Sequence, residues 1–187
     1  MKRKCKETMR RPAMSLSIRA MQLEDVPAVN LLVTDCYRFL AERQGFSAVQ
    51  FRRLLEERCS ENFVRKLFEE FPHYVAESGG RIVGAIGIEG SEVAELWVSP
   101  DYHRQGMGRA LFRKAEDVIR QAGHAALTVR TTGYATHFYG AMGAHIVGRK
   151  PCDGGPLQGW VLTYLEKALD AEAPTFGPAK ECKTQDV

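Results

Sequence analysis

A glycine-rich turn is the segment of this sequence best suited to chemistry. Residues 103–108 read HRQGMG; they follow a strand-like run that ends at Pro100 and precede an apolar-periodic helix. Gly106 and Gly108 leave the start of that helix almost bare, and its first N–H groups have no partner within the helix. The positive end of the helix dipole lies at the same place. The pattern therefore predicts a turn that binds phosphate or pyrophosphate.

The residues present exclude two more specific phosphate-binding motifs. A dinucleotide fingerprint needs a third glycine at position 111, which is leucine here, and a P-loop needs a Gly-Lys-Ser/Thr run that the segment lacks. Taken alone, a Gly-x-Gly turn is more simply explained as a flexible turn. Its interpretation therefore depends on the elements around it.

The apolar periodicity predicts a mixed α/β chain in which the strands share one sheet. The segments predicted as strands are 16–21, 73–78, 81–90, 91–100, 126–130, 144–150 and 160–167. The segments predicted as helices are 25–45, 48–58, 61–70, the stretch from the glycine turn to Gly123, and 135–142. Gly79-Gly80 predicts a hairpin, whereas the strand–helix–strand unit 91–130 requires two parallel strands joined by a right-handed crossover.

A second motif, Ala-x-x-Phe-Tyr-x-x-x-Gly, runs from Ala135 to Gly143, and the strand before the glycine turn ends in Leu-Trp-Val-Ser-Pro. Together the two motifs resemble those of the GNAT superfamily of acetyl-CoA-dependent N-acetyltransferases. The resemblance covers about residues 15–168 and is strongest over 92–143. It implies the GNAT acyltransferase fold, a splayed mixed β-sheet flanked by helices, with acetyl-CoA as cosubstrate and no metal ion.

The resemblance also implies where acetyl-CoA binds. The residues expected to contact it lie on strand 92–98, in the glycine turn, or at the end of strand 126–131: Leu96, Trp97, Val98, His103, Arg104, Gln105, Gly106, Met107, Gly108, Arg109, Thr131 and Thr132. The sequence departs from the family's pattern at three positions. His103 replaces the usual Gln or Arg, Thr132 stands where Asn is frequent, and Ala144 replaces an aromatic residue.

The chemistry of N-acetyl transfer needs a proton acceptor, because an amine with a pKa near ~10 is protonated at neutral pH. By similarity, Glu92 occupies the position of the carboxylate base in several GNAT members and Tyr139 that of the general acid. Strict alternation along the strand places Glu92 on the face of Leu96 and Val98, and Glu95 on the opposite face. Glu95 and ordered water stay open as alternatives for the base. The N–H of Val98 is the expected donor to the tetrahedral oxyanion.

The expected activity is acetyl transfer from acetyl-CoA to a primary amine by direct attack in a ternary complex. Peptide N-termini, lysine side chains, polyamines and small amines remain open as acceptors, and segments 25–70 and 150–159 are expected to shape their pocket. One alternative is a non-catalytic acyl-CoA sensor on the same fold, which would keep the glycine turn and need neither Glu92 nor Tyr139. The prediction is compatible with a homodimer.

The composition favours one soluble, cytoplasmic globular domain. The chain has 187 residues, of which 44% are hydrophobic and 26% charged, and it contains no run of ~20 apolar residues of the kind that spans a membrane. No basic-then-apolar secretory signal opens the sequence. The five cysteines are scattered without a CxxC pair, which argues against a disulfide framework or a zinc site and favours a reducing compartment.

The net charge of +3 is concentrated at the N-terminus. Residues 1–12 hold six basic residues and one acid, so the remainder of the chain carries a formal charge of −2. That distribution argues against nucleic-acid binding by a folded face, although a basic arm that contacts nucleic acid is a further alternative. The predicted organisation is a basic disordered extension over 1–13, the acetyltransferase domain over 14–168, and a flexible tail over 169–187.

Overall fold

The computed structural model describes residues 16–169, which form a seven-stranded mixed sheet in the order β1-β2-β3-β4-β5-β7-β6. The strands are β1 (Leu16–Ala20), β2 (His73–Ser78), β3 (Arg81–Glu89), β4 (Glu92–Val98), β5 (Ala126–Thr131), β6 (His145–Pro151) and β7 (Val161–Ala168). Only β4 and β5 are parallel among the neighbouring pairs of this sheet. The predicted extension 1–13 lies outside the described residues, as does the predicted tail beyond residue 169.

Five helices accompany the sheet within the described residues: α1 (Val26–Gln44), α2 (Ala48–Arg58), α3 (Glu61–Glu70), α4 (Met107–Gln121) and α5 (Thr136–Ala141). Their ends follow local signals in the sequence. Ser47 and Ser60 cap α2 and α3 by accepting hydrogen bonds from backbone N–H groups three residues later. Gly45, at a φ of +68°, ends α1. No helix within residues 16–169 is long and apolar enough to cross a bilayer.

The helices cover both faces of the sheet, as predicted. On one face, here the α4 face, Leu111 and Phe112 are fully buried against strand residues such as Ile86. On the other, the α1 face, residues of α1 and α3 pack against Val75 and Ala85. Ile86 and Ala85 are consecutive, so the pleat of β3 divides the core into these two clusters.

A β-bulge in β4 changes which of its side chains share a face. Glu95 pairs with Gly87 and Val93 with Ile88, so Ala94 is an extra residue without an opposite partner. Val93 consequently lies in the same α4-face core as Leu96 and Val98. The expectation from strict alternation that Glu92 and Glu95 lie on opposite faces is therefore wrong, because the bulge places both on the α1 face.

The parallel strands β4 and β5 separate beyond their first residues. They pair only at Glu92 with Thr128 and at Val93 with Val129, although β4 continues to Val98 and β5 to Thr131. This gap, the β4–β5 opening, lies just before the chain turns into α4. It is the splay that the sequence predicted.

Candidate functional site

The edge of β4 that faces the opening carries backbone groups that no neighbouring strand uses. Ser99 N–H donates to Val83 O at 2.9 Å, which makes Gly84 and Val98 a pair without mutual hydrogen bonds. The N–H and C=O of Val98 therefore point away from β3, toward β5. Leu96, two residues earlier, has the same orientation. Since β5 does not pair there, the N–H groups of Leu96 and Val98 and the Leu96 carbonyl can pair with an extended ligand.

The carbonyl of Val98 is held by two side chains. The Sγ–H of Cys36 donates to it at 3.3 Å, and Nε2 of His103 lies 3.0 Å from it. A carbonyl only accepts, so Nε2 of His103 carries a proton. Burial raises the pKa of Cys36 to about 12, which keeps its thiol a donor. His103 also packs edge to face on Phe39 of α1 at 5.0 Å, and thereby joins the glycine turn, β4 and α1.

The glycine turn has the backbone of an anion-binding concavity. Arg104 and Gly106 are left-handed, at φ of +62° and +89°, and the side chain of Gln105 fastens the turn by donating to Asp101 O at 2.9 Å. No described side chain caps α4, whose first internal hydrogen bond runs from Ala110 N to Gly106 O. The N–H groups that precede Ala110 in α4 therefore have no partner within the helix. Successive N–H groups of this kind form a concave nest that binds anions.

Gly108 is closely surrounded by side chains as well as leaving the backbone accessible. A Cβ there would lie 3.3 Å from the ring of Phe138 and 3.7 Å from Val98 Cγ2. Position 108 is therefore the point where α4, α5 and β4 meet. Arg109 follows it in the first turn of α4, close to the free N–H groups.

Two of the predicted cofactor residues have their side chains in the core. Met107 is 6% exposed and packs in the α4-face core, which leaves its N–H as the group that faces the turn. Trp97 packs on the α1 face against Tyr37, with ring centroids 4.8 Å apart. Thr131 and Thr132 lie at the end of β5, on the far side of the opening from Val98.

Tyr139, the predicted general acid, is a buried residue of α5. It is 5% exposed, and its ring packs against Phe112 at 5.7 Å and Phe138 at 5.1 Å. Burial raises the pKa of the Tyr139 phenol well above its usual range, so the hydroxyl stays protonated. The phenol is therefore a group that can donate a hydrogen bond or a proton, and not one that can accept a proton as a phenolate.

The two carboxylates on β4 have different partners. Glu92 accepts a hydrogen bond from Nε of Arg130 at 2.8 Å and keeps 29% of its side chain exposed. Glu95 keeps 21% exposed, and its Oε2 lies 3.8 Å from Nε2 of His73. Sequence reasoning missed Arg130 and His73, because both partners become neighbours only through strand pairing.

Helix α2 packs against the loop that connects β6 to β7. Phe46 meets Trp160 edge to face at 4.5 Å, and α2 packs against Gly155–Leu157. Leu54 of α2 is fully buried, and so is most of Pro156 in the loop. The two segments predicted to shape the acceptor pocket are therefore in contact. Within residues 16–169, no group of three or more His, Cys, Asp or Glu side chains is placed to hold a metal ion.

Residues 42–155 match the family described as the acetyltransferase (GNAT) domain. The chain belongs to the GNAT acetyltransferase family. Over 94 residues this GNAT protein is 31% identical to the peptidyl-lysine N-acetyltransferase YiaC of Escherichia coli (strain K12). That alignment covers 49% of this chain and 62% of YiaC, so the matched region spans less than two thirds of the relative's length.

Solved structures share the fold of this GNAT protein. A GCN5-related N-acetyltransferase from Rhodopseudomonas palustris matches with a TM-score of 0.76 at 20% identity, over 85% of this chain and 99% of the other. The PaiA N-acetyltransferase from Thermoplasma acidophilum, solved with coenzyme A, gives 0.66 at 17% identity over 83% and 99%. YncA from Salmonella typhimurium, solved with acetyl-CoA, gives 0.64 at 18% over 84% and 96%. The fold predicted from the sequence is confirmed.

Proposed function

We propose that this protein transfers the acetyl group of acetyl-CoA to a primary amine by direct attack within a ternary complex. The observation that carries the proposal is the continuity between the β4–β5 opening and the start of α4. Backbone groups of Leu96 and Val98 face the opening, and the free N–H groups after Gly106 follow on the same path. One elongated ligand with a phosphate group fits both features.

Acetyl-CoA is such a ligand. Its pantetheine arm would pair with the edge of β4 as an added strand does, and its pyrophosphate would meet the N–H groups of the glycine turn. Arg104 and Arg109 would supply positive charge there, while Thr131 and Thr132 would bound the opening on the β5 side. Coenzyme A and acetyl-CoA in the PaiA and YncA structures support this assignment.

The chemical step needs three groups, and the site supplies a candidate for each. A β4 carboxylate would take the proton from the acceptor ammonium; Glu92 is the residue predicted from the sequence, and Glu95 shares its face. The N–H of Val98 would stabilise the oxyanion. The protonated hydroxyl of Tyr139 would donate to the departing thiolate, in keeping with its raised pKa.

The first acceptors to test are lysine side chains of peptides, because YiaC is a peptidyl-lysine N-acetyltransferase. We place the reaction in the cytoplasm; Cys36, Cys59 and Cys152 are free thiols, in keeping with a reducing compartment. The experiment follows thiol release from acetyl-CoA over lysine peptides, peptide N-termini, polyamines and small amines. Acetylated product from one class identifies the acceptor. Tight acetyl-CoA binding without turnover on the whole panel would favour the acyl-CoA sensor, and absence of binding would contradict both.

A further inference from the structure

Three residues form a row across adjacent strands on the α1 face. His73 of β2 pairs with Gly87 of β3, and Gly87 pairs with Glu95 of β4. Because Gly87 has no side chain, the imidazole and the carboxylate approach each other above it, with Nε2 and Oε2 3.8 Å apart. A Cβ at position 87 would lie 2.6 Å from Nε2 of His73. The ring can therefore occupy this place only if residue 87 is glycine.

The hydrogen bonding of His73 fixes which of its nitrogens carries the proton. Nδ1 lies 2.9 Å from the carbonyl oxygen of Phe71, which only accepts, so Nδ1 is the donor. The Phe71 ring also stacks on the imidazole, with centroids 4.8 Å apart. In the neutral ring Nε2 is then an acceptor, and it faces the carboxylate of Glu95, which is also an acceptor. The two atoms, 3.8 Å apart, are beyond hydrogen-bond distance and have no proton between them.

We propose that Glu95 and His73 together accept the proton of the acceptor amine, with Glu95 as the catalytic residue and His73 as its positioning partner. The inference rests on the proposed function and specifies its general base. One proton passes from the ammonium to Glu95. Approach of Oε2 and Nε2 of His73 by about half an ångström or more from their 3.8 Å separation would then let the two groups share it.

The remaining steps are those of ordinary acyl transfer. The freed lone pair on nitrogen attacks the acetyl carbon, and the C–S bond breaks with its electron pair on sulfur. Tyr139 donates a proton to that sulfur and regains one from the nitrogen, which still carries one more than the amide needs. Glu95 and His73 then return their shared proton to water. His73 lines an open surface cavity of about 380 Å³ with Met21, Phe68 and Tyr74, and 4% of its side chain is exposed.

Glu92 is less suited to this role because its carboxylate is already engaged. Accepting a proton would break its ion pair with Arg130, whereas protonation of Glu95 or His73 would favour the approach of Oε2 and Nε2, which lie 3.8 Å apart. Among the described residues no lysine or arginine forms an ion pair with Glu95. The other titratable groups that Glu95 influences are Tyr37 of α1 and Cys59, which follows α2. Burial raises the pKa of both Tyr37 and Cys59, so these two groups stay neutral.

The kinetic test compares Glu95→Gln and His73→Gln with Glu92→Gln, the variant of the competing carboxylate, and with Glu89→Gln, a control at an exposed residue of β3. Glu95→Gln should lower kcat/KM by about 10²–10⁴-fold at neutral pH, the range of a general base, with an unchanged Kd for acetyl-CoA. The loss should shrink at high pH, where more of the amine is already deprotonated. His73→Gln and Glu92→Gln should each lose less than Glu95→Gln, and Glu89→Gln should keep the wild-type rate. A Glu92→Gln defect beside a nearly wild-type Glu95→Gln enzyme would overturn the proposal.

A second measurement does not depend on acetyl transfer. The NMR chemical shifts of the His73 ring nitrogens, measured at one neutral pH, should change in Glu95→Gln, because the carboxylate lies 3.8 Å from Nε2. Glu89→Gln should leave them in place. If the His73 shifts change as expected but no amine is acetylated, the proposed function fails while the paired geometry stands. If Glu95→Gln leaves the shifts unchanged, the pair is refuted whatever the activity.

Discussion

Gly106 and Gly123 bracket α4 with nearly the same backbone conformation, φ of +89° and +87°, and a Cβ on either would meet no atom within 4 Å. They differ in location, since Gly106 lies in the glycine turn and Gly123 at the opposite end of the helix. The pair therefore separates the effect of backbone strain from the effect of ligand binding.

We expect Gly106→Val and Gly123→Val to destabilise the fold similarly, by about 1–2 kcal/mol for a left-handed non-glycine residue. Only Gly106→Val should also weaken acetyl-CoA binding steeply, because its side chain would occupy the approach to the free N–H groups. Calorimetric titration of the two folded variants measures this difference. Equal acetyl-CoA affinity in both would contradict a role for the turn in binding phosphate.

Substitution of His103 tests the importance of its hydrogen bond to the Val98 carbonyl. His103→Ala removes the bond to the Val98 carbonyl and should weaken acetyl-CoA binding by roughly 5-fold, which corresponds to the ~1 kcal/mol of one hydrogen bond. His103→Gln offers another side-chain N–H donor and should restore most of the affinity. The Kd for acetyl-CoA, measured for the wild type and both variants, tests these expectations. If the alanine variant binds like wild type, the contact at 3.0 Å does not position the β4 edge.

Tyr139→Phe removes one hydroxyl from a packed site and should leave both the fold and acetyl-CoA affinity nearly unchanged. Its defect should fall on kcat, on the order of 10²-fold, because the donor is needed as the thiolate leaves. Since burial raises the Tyr139 pKa above its ordinary value of ~10, wild-type activity should not decline through phenol ionisation as the pH rises toward 10.

The leaving group provides the control for that variant. Acyl donors with more acidic thiols need less help, so Tyr139→Phe should be less impaired with them. A defect of the same size for good and poor leaving groups would show that Tyr139 only packs against Phe112 and Phe138.

Asp25 is expected to contribute pH-dependent stability. Hydrogen bonds from Arg19, at 2.6 and 2.9 Å, hold its pKa below the usual value of ~3.9. A lowered folded-state pKa stabilises the protein above the unfolded value, and this contribution disappears as the pH falls through the folded value. Asp25→Asn should therefore cost up to about 1 kcal/mol at pH 7, a modest figure because Arg19 is partly exposed, and progressively less in acid.

The matched control for Asp25 is Asp35→Asn. Asp35 forms a much more exposed pair with Arg38 on one helix face, where an ion pair contributes little. Urea unfolding of both variants at pH 7 and in acid measures the difference. Equal free energies of unfolding for the two variants at pH 7 would contradict the contribution assigned to Arg19 and Asp25.

Local signals in the sequence predicted most of the fold. Serine caps at Ser47 and Ser60, the Gly79-Gly80 turn and the glycine turn each act through residues close in the chain. The bulge at Ala94 could not be predicted in this way, because EVAELWV reads as a regular strand and only its pairing with β3 reveals the extra residue. The assignment of faces for Glu92 and Glu95 failed for that reason.

The contact between His73 and Glu95 was missed because two strand pairings separate these residues. One signal was present in the sequence. Gly87 interrupts an otherwise apolar strand, and a glycine inside a strand often marks a place where another group approaches closely. Neither the bond from Cys36 to Val98 nor that from His103 had any such signal, since both depend on how α1 and the glycine turn pack on β4.

The contact of α2 with the β6–β7 loop lies apart from both core clusters, since Leu54 belongs to neither. Insertions, deletions or exchanges at this contact can therefore change the surface there while the sheet, α4 and the glycine turn keep their packing. Under the proposed function, such a separation would make acceptor choice an evolvable property: a lineage could change the amine that it modifies by exchanging two neighbouring segments, without rebuilding the part that would bind the acyl donor.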